Sequence, residues 1–226
     1  MKKLFVERML RREICRVGKL MYAKGFVAAN DGNISVKFGE DAYLFTPTNV
    51  SKGDMKPHMI VKTDKEGNVK KGRRKVSSEY KMHLRVYSEN SSTGAVVHAH
   101  PPAATSFAIA GEPLDKALLT EAVVLLGAVP VAPYGKPGTQ EVPDSIAPYC
   151  REYNAVMLRN HGVLTWGRDL REAYFRMEAV ENFAIISIYS MNIFNGAGRL
   201  DKRQVDALLD IRRNLGISSG GRPESK

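Results

Sequence analysis

Four side chains in this sequence have the types and spacings needed to do chemistry together. His98 and His100 stand one residue apart in VVHAHPP (96–102), at the end of an apolar run and before two prolines. Along an extended strand, residues two apart face the same side, so both imidazoles project from one face while Ala99 points away. Two neighbouring imidazoles can share a metal ion, and equally they are what two ordinary polar residues at a strand end look like. A third histidine, His161 in NAVMLRNHGVL (154–164), also ends an apolar stretch and precedes a glycine that can turn the chain tightly. Three strand-end imidazoles would leave exchangeable positions on a metal, the open arrangement of a catalytic site. Of the five histidines in the chain, His58, after Pro57 in a polar loop, and His83, within a helix beside Leu84, read as ordinary.

The fourth residue is Glu79 in SSEYKMH (77–83). A glutamate in the first turn of a helix complements the helix dipole, and many such residues do no more. Ser77 and Ser78 before it add a second reading, since hydroxyls and free backbone N–H groups at a helix N-terminus suit a phosphate. A carboxylate at the edge of that pocket could act as a base on a phosphorylated substrate, and burial beside apolar strands would raise its pKa.

These residues need elements to hold them. Leu4, Phe5, Met9, Leu10, Ile14, Val17, Leu20 and Met21 recur at helical spacing, predicting an opening amphipathic helix that ends near Gly25. NISVKF (33–38) alternates as a half-buried strand, AYLFT (42–46) is its hairpin partner, and FGED (38–41) is the turn. Thr63 to Arg74 reads as a polar loop. A helix follows Ser77 and Ser78, GAVVHAH (94–100) is a short buried strand, and PAATSFAIA (102–110) is helical. AVVLLGAVPVAPY (122–134) and NAVMLRN (154–160) read as further buried strands around a helix at about 140–151. After LRNHGVLTWG comes a long helix from Asp169, its N-cap, to about Met191, and a last helix covers about 201–215. Strands and helices interleaved throughout, with no repeat and no linker, predict one α/β layered domain over 1–216 and a mobile tail, ISSGGRPESK, over 217–226.

Composition narrows the function classes. The 226 residues carry a net charge of +10, but Lys and Arg are scattered apart from Lys70, Lys71, Arg73, Arg74 and Lys75, and no nucleic-acid recognition motif accompanies them. The same positive field would draw in small phosphorylated substrates. Cys15 and Cys150, without C-x-x-C spacing, give neither a disulfide framework nor a thiolate metal site. The first helix carries Glu7, Arg8, Arg11, Arg12 and Glu13 where a signal peptide needs an apolar stretch, and no run approaches a membrane span. A cytoplasmic protein, free of membrane and nucleic-acid partners, is expected.

Taken together, DGNIS (31–35), FTPTN (45–49), SSE (77–79), VVHAHPP (96–102), VPVAPYGKPGT (129–139) and LRNHG (158–162) make residues 5–195 resemble the class II aldolase/adducin family, nearest in pattern to its fuculose-phosphate aldolases. The resemblance implies a three-layer αβα domain with a central, mainly antiparallel sheet, assembled as a homotetramer with active sites between subunits. It implies that His98, His100 and His161 bind one divalent metal, zinc foremost with manganese or cobalt as alternatives, and that Glu79 is the acid/base and an additional metal ligand before substrate binds. Asn33, Thr48, Asn49, Ser77 and Ser78 would hold a substrate phosphate. The implied reaction is reversible cleavage of a ketose 1-phosphate to dihydroxyacetone phosphate and a short aldehyde. Methylthioribulose-1-phosphate dehydratases share the histidines and a glutamate, whereas pentulose-phosphate 4-epimerases carry aspartate at the position of Glu79. A non-catalytic adducin-like assembly module is the alternative from another class. The aldolases' intersubunit tyrosines have no counterpart in LLTEAVVLL (118–126) or after Tyr189, which leaves Glu121 as the polar residue available on the aldehyde side.

Overall fold

The computed structural model describes residues 2–193 and 198–226. One eight-stranded sheet runs through it in the order β4-β3-β2-β1-β5-β8-β7-β6, formed by β1 (Asn33–Lys37), β2 (Tyr43–Phe45), β3 (Val61–Thr63), β4 (Val69–Lys71), β5 (Ala95–Ala99), β6 (Val131–Ala132), β7 (Ala155–Leu158) and β8 (Gly162–Gly167). Every pairing is antiparallel except that of β6 with β7.

Helices cover both faces. On one lie α1 (Lys2–Ala23), α3 (Pro102–Ala110) and α6 (Leu170–Ile193), and on the other α2 (Tyr80–Glu89) and α5 (Glu141–Ile146). The two faces enclose separate apolar clusters: Ile14, Val17, Ile34, Val97, Val163, Met177 and Phe183 in the first, and Phe45, Met82, Val96, Leu164 and Trp166 in the second. The alternation in β5, with Val97 and Ala99 in one cluster and Val96 in the other, is the period-two pattern of a strand buried on both sides. A smaller cluster joins α4 (Thr120–Leu125) to α7 (Lys202–Asn214) through Ala117, Val123 and Val205.

Most of the expected elements form. The β1–β2 hairpin closes through Phe38 N–H donating to Ala42 O, and Asp169 accepts from Glu172 N at the start of α6 (2.8 Å). Several expectations change. AVVLLGAVPVAPY is not one strand: its first part is α4, packed on α6 and α7, and only Val131 and Ala132 pair in the sheet. An apolar run this short does not declare its period, and Pro130 and Pro133 confine the strand to two residues at the sheet edge. The polar loop at Thr63–Arg74 contains the end of β3 and all of β4, whose three residues are exposed. A lysine-bearing edge strand has no buried face to reveal it in the sequence. In α1, Ile14, Val17 and Met21 are buried, but Leu4, Phe5 and Met9 are exposed. Residues 217–226, for which a mobile tail is expected, carry backbone bonds from Gly220 N to Glu152 O and from Ala117 N to Glu224 O, and Arg212 donates to Gly220 O and Gly221 O.

β1 also differs from the half-buried strand its alternation predicts. Ile34 and Val36 face the first cluster, as expected, yet Asn33 and Ser35 on the other face are buried too, under α2. The side of the sheet beneath α2 therefore holds a polar patch among apolar neighbours, and the candidate site opens from it.

Candidate active site

The register of β1 against β5 sets Asn33 directly opposite His98. His98 is fully buried, and its Nδ1 lies 2.9 Å from the carbonyl of Val163 on β8, a group that can only accept. The proton of the neutral ring is therefore on Nδ1, leaving the Nε2 lone pair free. Burial pushes the His98 pKa well below the ordinary histidine value, which keeps the ring neutral.

His100 follows β5, and its Nε2 stands 3.1 Å from His98 Nε2. His161 completes the cluster from the turn between β7 and β8, where Asn160 takes a left-handed conformation (φ 55°) and His161 N–H bonds back to Leu158 O. The three rings lie 4.8 to 5.1 Å apart, centroid to centroid. Close approach of the strands depends on Gly162, where a Cβ would fall 2.5 Å from both Ala99 O and His100 Cδ2. Gly32 (φ 70°) plays the same part beside β5, since a Cβ there would sit 2.8 Å from His98 O.

Glu79 is at the N-cap of α2 rather than in its first turn, and its side chain does not cap the helix. Instead its carboxylate spans the cluster, with Oε2 3.4 Å from His98 Nε2 and Oε1 3.2 Å from His161 Nε2. Asn33 Nδ2 donates to Oε2 at 2.7 Å. Burial opposes ionisation of Glu79, but the Asn33 amide and the His161 ring beside the carboxylate outweigh it and hold the carboxyl below the usual carboxylate range. The upward shift expected from burial is thus reversed by what the burial places around the group.

The arrangement fits a divalent cation. His98, His100 and His161 each offer a ligand nitrogen, and these lie within 4.8 Å of one another. Two facing imidazole Nε2 atoms, one with its lone pair free and a carboxylate beside it, form a concentration of electron pairs that a cation relieves. Asp31 lies behind His100, with Oδ2 3.7 Å from its Nδ1.

The remaining expected residues fall into two groups. Thr48 N–H bonds to Lys75 O, Pro47 pairs with Val76, and Ser77 N–H bonds to Thr46 O, so the loop carrying Thr48 and Asn49 runs beside the segment leading to Ser77, Ser78 and Glu79. Asn49 is left-handed there (φ 56°), a conformation asparagine tolerates. Glu121, by contrast, is exposed in the first turn of α4, a helix that packs on α6 and α7, and is not among the hydrogen-bond and ion-pair partners of the three histidines in the described residues. His58 is exposed in a 3-10 turn, Pro57–Met59, outside the cluster.

Three residues near the site carry little sequence signal. Lys52 is 1% exposed and donates to the carbonyls of Asn30 and Val50; burial lowers its pKa to about 8, against the opposing pull of Asp31 and Glu79. His83 and Ser35 are buried beside Asn33. A lone lysine in NVSKGDM looks like any surface lysine, whereas Ser35 and His83 could have been suspected from a polar residue on a strand face and a histidine one turn after Glu79.

Residues 12–188 match the model of the family described as Class II Aldolase and Adducin N-terminal domain. The chain is 33% identical over 180 residues to an L-fuculose phosphate aldolase of Methanococcus maripaludis, covering 80% of this chain and 96% of the relative. It is 32% identical over 182 residues to a 3-oxo-tetronate 4-phosphate decarboxylase of Cupriavidus necator, covering 79% and 83%. The crystal structure of YgbL from Klebsiella pneumoniae superposes with a TM-score of 0.83 at 28% identity, over 89% of this chain and 98% of that one. With its sheet, its paired histidines and its relatives in agreement, the chain belongs to the class II aldolase and adducin N-terminal domain family.

Proposed function

We propose that this chain is a divalent-metal-dependent lyase that breaks a carbon–carbon bond of a phosphorylated keto sugar or sugar acid to give dihydroxyacetone phosphate. The observation that carries the reading is the Glu79 carboxylate held by Asn33 between two of three clustered imidazoles. The metal, when bound by His98, His100 and His161, supplies a Lewis acid for a substrate carbonyl. At an imidazole site the affinity trend favours zinc over cobalt and manganese.

In the aldolase reading the substrate is a ketose 1-phosphate resembling fuculose 1-phosphate. The hydroxyl on its fourth carbon gives its proton to a base, for which the Glu121 carboxylate of a neighbouring copy is the group available, and becomes an aldehyde, while the electrons of the bond between the third and fourth carbons pass into an enediolate. Glu79, having taken up a proton from solvent, transfers it to the third carbon, giving dihydroxyacetone phosphate, and removes it in the reverse direction. Thr48, Asn49, Ser77 and Ser78, with the second amide hydrogen of Asn33, form the phosphate side. The family's likeness supports a homotetramer, in which Glu121 of a neighbouring copy would face the aldehyde.

A second reading is favoured by the decarboxylase relative and by the missing tyrosines. Loss of carbon dioxide from a carboxylate next to the same carbon leaves the same enediolate and needs no acceptor for a hydroxyl proton. Retention of all three histidines and Glu79 weighs against the non-catalytic module, and glutamate rather than aspartate at position 79 weighs against the epimerase.

Dihydroxyacetone phosphate release should be measured from fuculose, rhamnulose, ribulose and 5-deoxyribulose 1-phosphates and from 3-oxo-tetronate 4-phosphate, with metal-stripped and zinc-reconstituted protein. Metal-dependent release supports the lyase, and the preferred substrate chooses between aldehyde and carbon dioxide as the second product. Metal bound without release from any of them would contradict it in favour of the dehydratase.

A further inference from the structure

From the face of β1 beneath α2, a continuous line of hydrogen bonds leads away from Glu79. Asn33 Nδ2 donates to Glu79 Oε2, Asn33 Oδ1 meets His83 Nε2, His83 Nδ1 lies 2.7 Å from Ser35 Oγ, and Ser35 Oγ lies 2.8 Å from the hydroxyl of Tyr87. Ser35 and His83 are both fully buried and Tyr87 nearly so. Each direction in the line follows from the one before it. An ionised carboxylate only accepts, so the Asn33 amide must turn its NH2 toward Glu79 and its oxygen toward His83. An amide oxygen only accepts, so His83 must carry its proton on Nε2. The Nδ1 lone pair then accepts from Ser35 O–H, and the Ser35 oxygen is left to accept from Tyr87 O–H. Burial pushes the His83 pKa down to about 3, in keeping with a neutral ring, although the polarity of the line already requires one proton on one nitrogen.

We infer that His83 is a positioning residue for Glu79: as a neutral Nε2–H donor, oriented by Ser35 and Tyr87, it prevents the Asn33 amide from turning over and so fixes the carboxylate between His98 and His161. Were Asn33 to flip, its oxygen would face the Glu79 carboxylate, and two acceptors would meet without a proton between them. A buried donor behind Asn33 removes that alternative. The line also rations Asn33: its oxygen is taken by His83 and one amide hydrogen by Glu79, leaving a single hydrogen for substrate. Its effect on turnover rests on the lyase reading above; its existence does not.

Two measurements test it. Nitrogen NMR of protein labelled with 15N-histidine should show His83, identified by its absence from His83→Gln and its displacement in Ser35→Ala, as the neutral Nε2–H tautomer between pH 8 and pH 6. A proton on Nδ1, or an imidazolium in this range, would overturn the inference whether or not the protein turns over any substrate. In kinetics, His83→Leu should lower kcat by about 10- to 100-fold, as loss of an outer hydrogen-bond partner does, with KM little changed. His83→Gln, whose amide can donate to Asn33, should recover most of that loss. Wild-type kcat in a folded His83→Leu protein, or equal loss in both variants at equal stability, would contradict the positioning role. If wild-type protein proves inactive on every substrate tested, the lyase reading fails and the tautomer alone decides the inference.

Discussion

The two faces of β1 and β5 are built from the same strands and are both buried, yet they do different work. Beneath α1, α3 and α6 the strands present Ile34, Val36, Val97 and Ala99, a surface satisfied by contact alone. Beneath α2 they present Asn33, Ser35 and His98, each of which needs a specific partner and has one: Glu79 and His83 for Asn33, His83 and Tyr87 for Ser35, and Val163 O for His98. The first face is tolerant in kind and demanding in volume; the second is the reverse. Burying polar groups is costly unless they are paired, and here Asn33, Ser35 and His98 are all paired while His161 Nδ1 at the end of the patch has no partner, which makes this face the candidate for the chemistry.

This contrast can be broken from either side. The largest effect belongs to the polar face. Glu79→Gln should reduce turnover by about 10²- to 10⁴-fold, the range for a general acid/base, while metal content by elemental analysis stays at the wild-type level; turnover near wild type would remove Glu79 from the chemistry. His100→Ala should lower the metal retained after dialysis and turnover with it, and added zinc should restore part of the activity. Full metal occupancy in that variant would take His100 out of the ligand set.

On the apolar face, Met177→Ala deletes a fully buried side chain and should cost about 2–5 kcal/mol in denaturant unfolding, with turnover per folded molecule preserved. A variant of normal stability but reduced turnover would mean the faces are not separable.

The last effect, smallest per unit of pH, is in the pH dependence of stability. His83 has its pKa pushed down to about 3 in the folded protein from an ordinary 6.5. Between those values the unfolded chain binds a proton that the folded chain does not, so stability falls as the pH drops below 6.5, by about 1.4 kcal/mol per pH unit for the one group. His83→Gln should remove that much of the slope between pH 6 and pH 4, read as the change in denaturation midpoint. An unchanged slope would mean that His83 is charged or exposed in the folded protein.

The same contrast explains what could be read from the sequence. Apolar alternation made β1, β2 and β5 legible, and helical spacing did the same for α1 and α6. The His98–His100 pair and His161 stood out because histidine is rare on apolar strands, and Glu79 because two serines precede it at a helix start. β4 was hidden because an edge strand of lysines has no inward face, and α4 because a short apolar run reads equally as strand or helix. His83 was hidden for a different reason. A histidine in a helix looks ordinary until the sheet face opposite it is known to carry Asn33 and Ser35, and that pairing spans 50 and 48 residues of sequence. Glu79 was singled out from the sequence, but its electrostatics were not: burial alone predicts a raised pKa, and only the placement of Asn33 and His161 around it reverses the sign.

The most direct test of the central claim, that Glu79 beside the histidine cluster makes and protonates the enediolate of dihydroxyacetone phosphate, needs no knowledge of the second product. Metal-loaded protein should be incubated with dihydroxyacetone phosphate alone in D2O and the hydroxymethyl hydrogens followed by proton NMR. One of the two hydrogens should exchange in the wild-type protein and neither in Glu79→Gln with its metal still bound. No exchange by the metal-loaded wild type, or equal exchange by both proteins, would contradict the account.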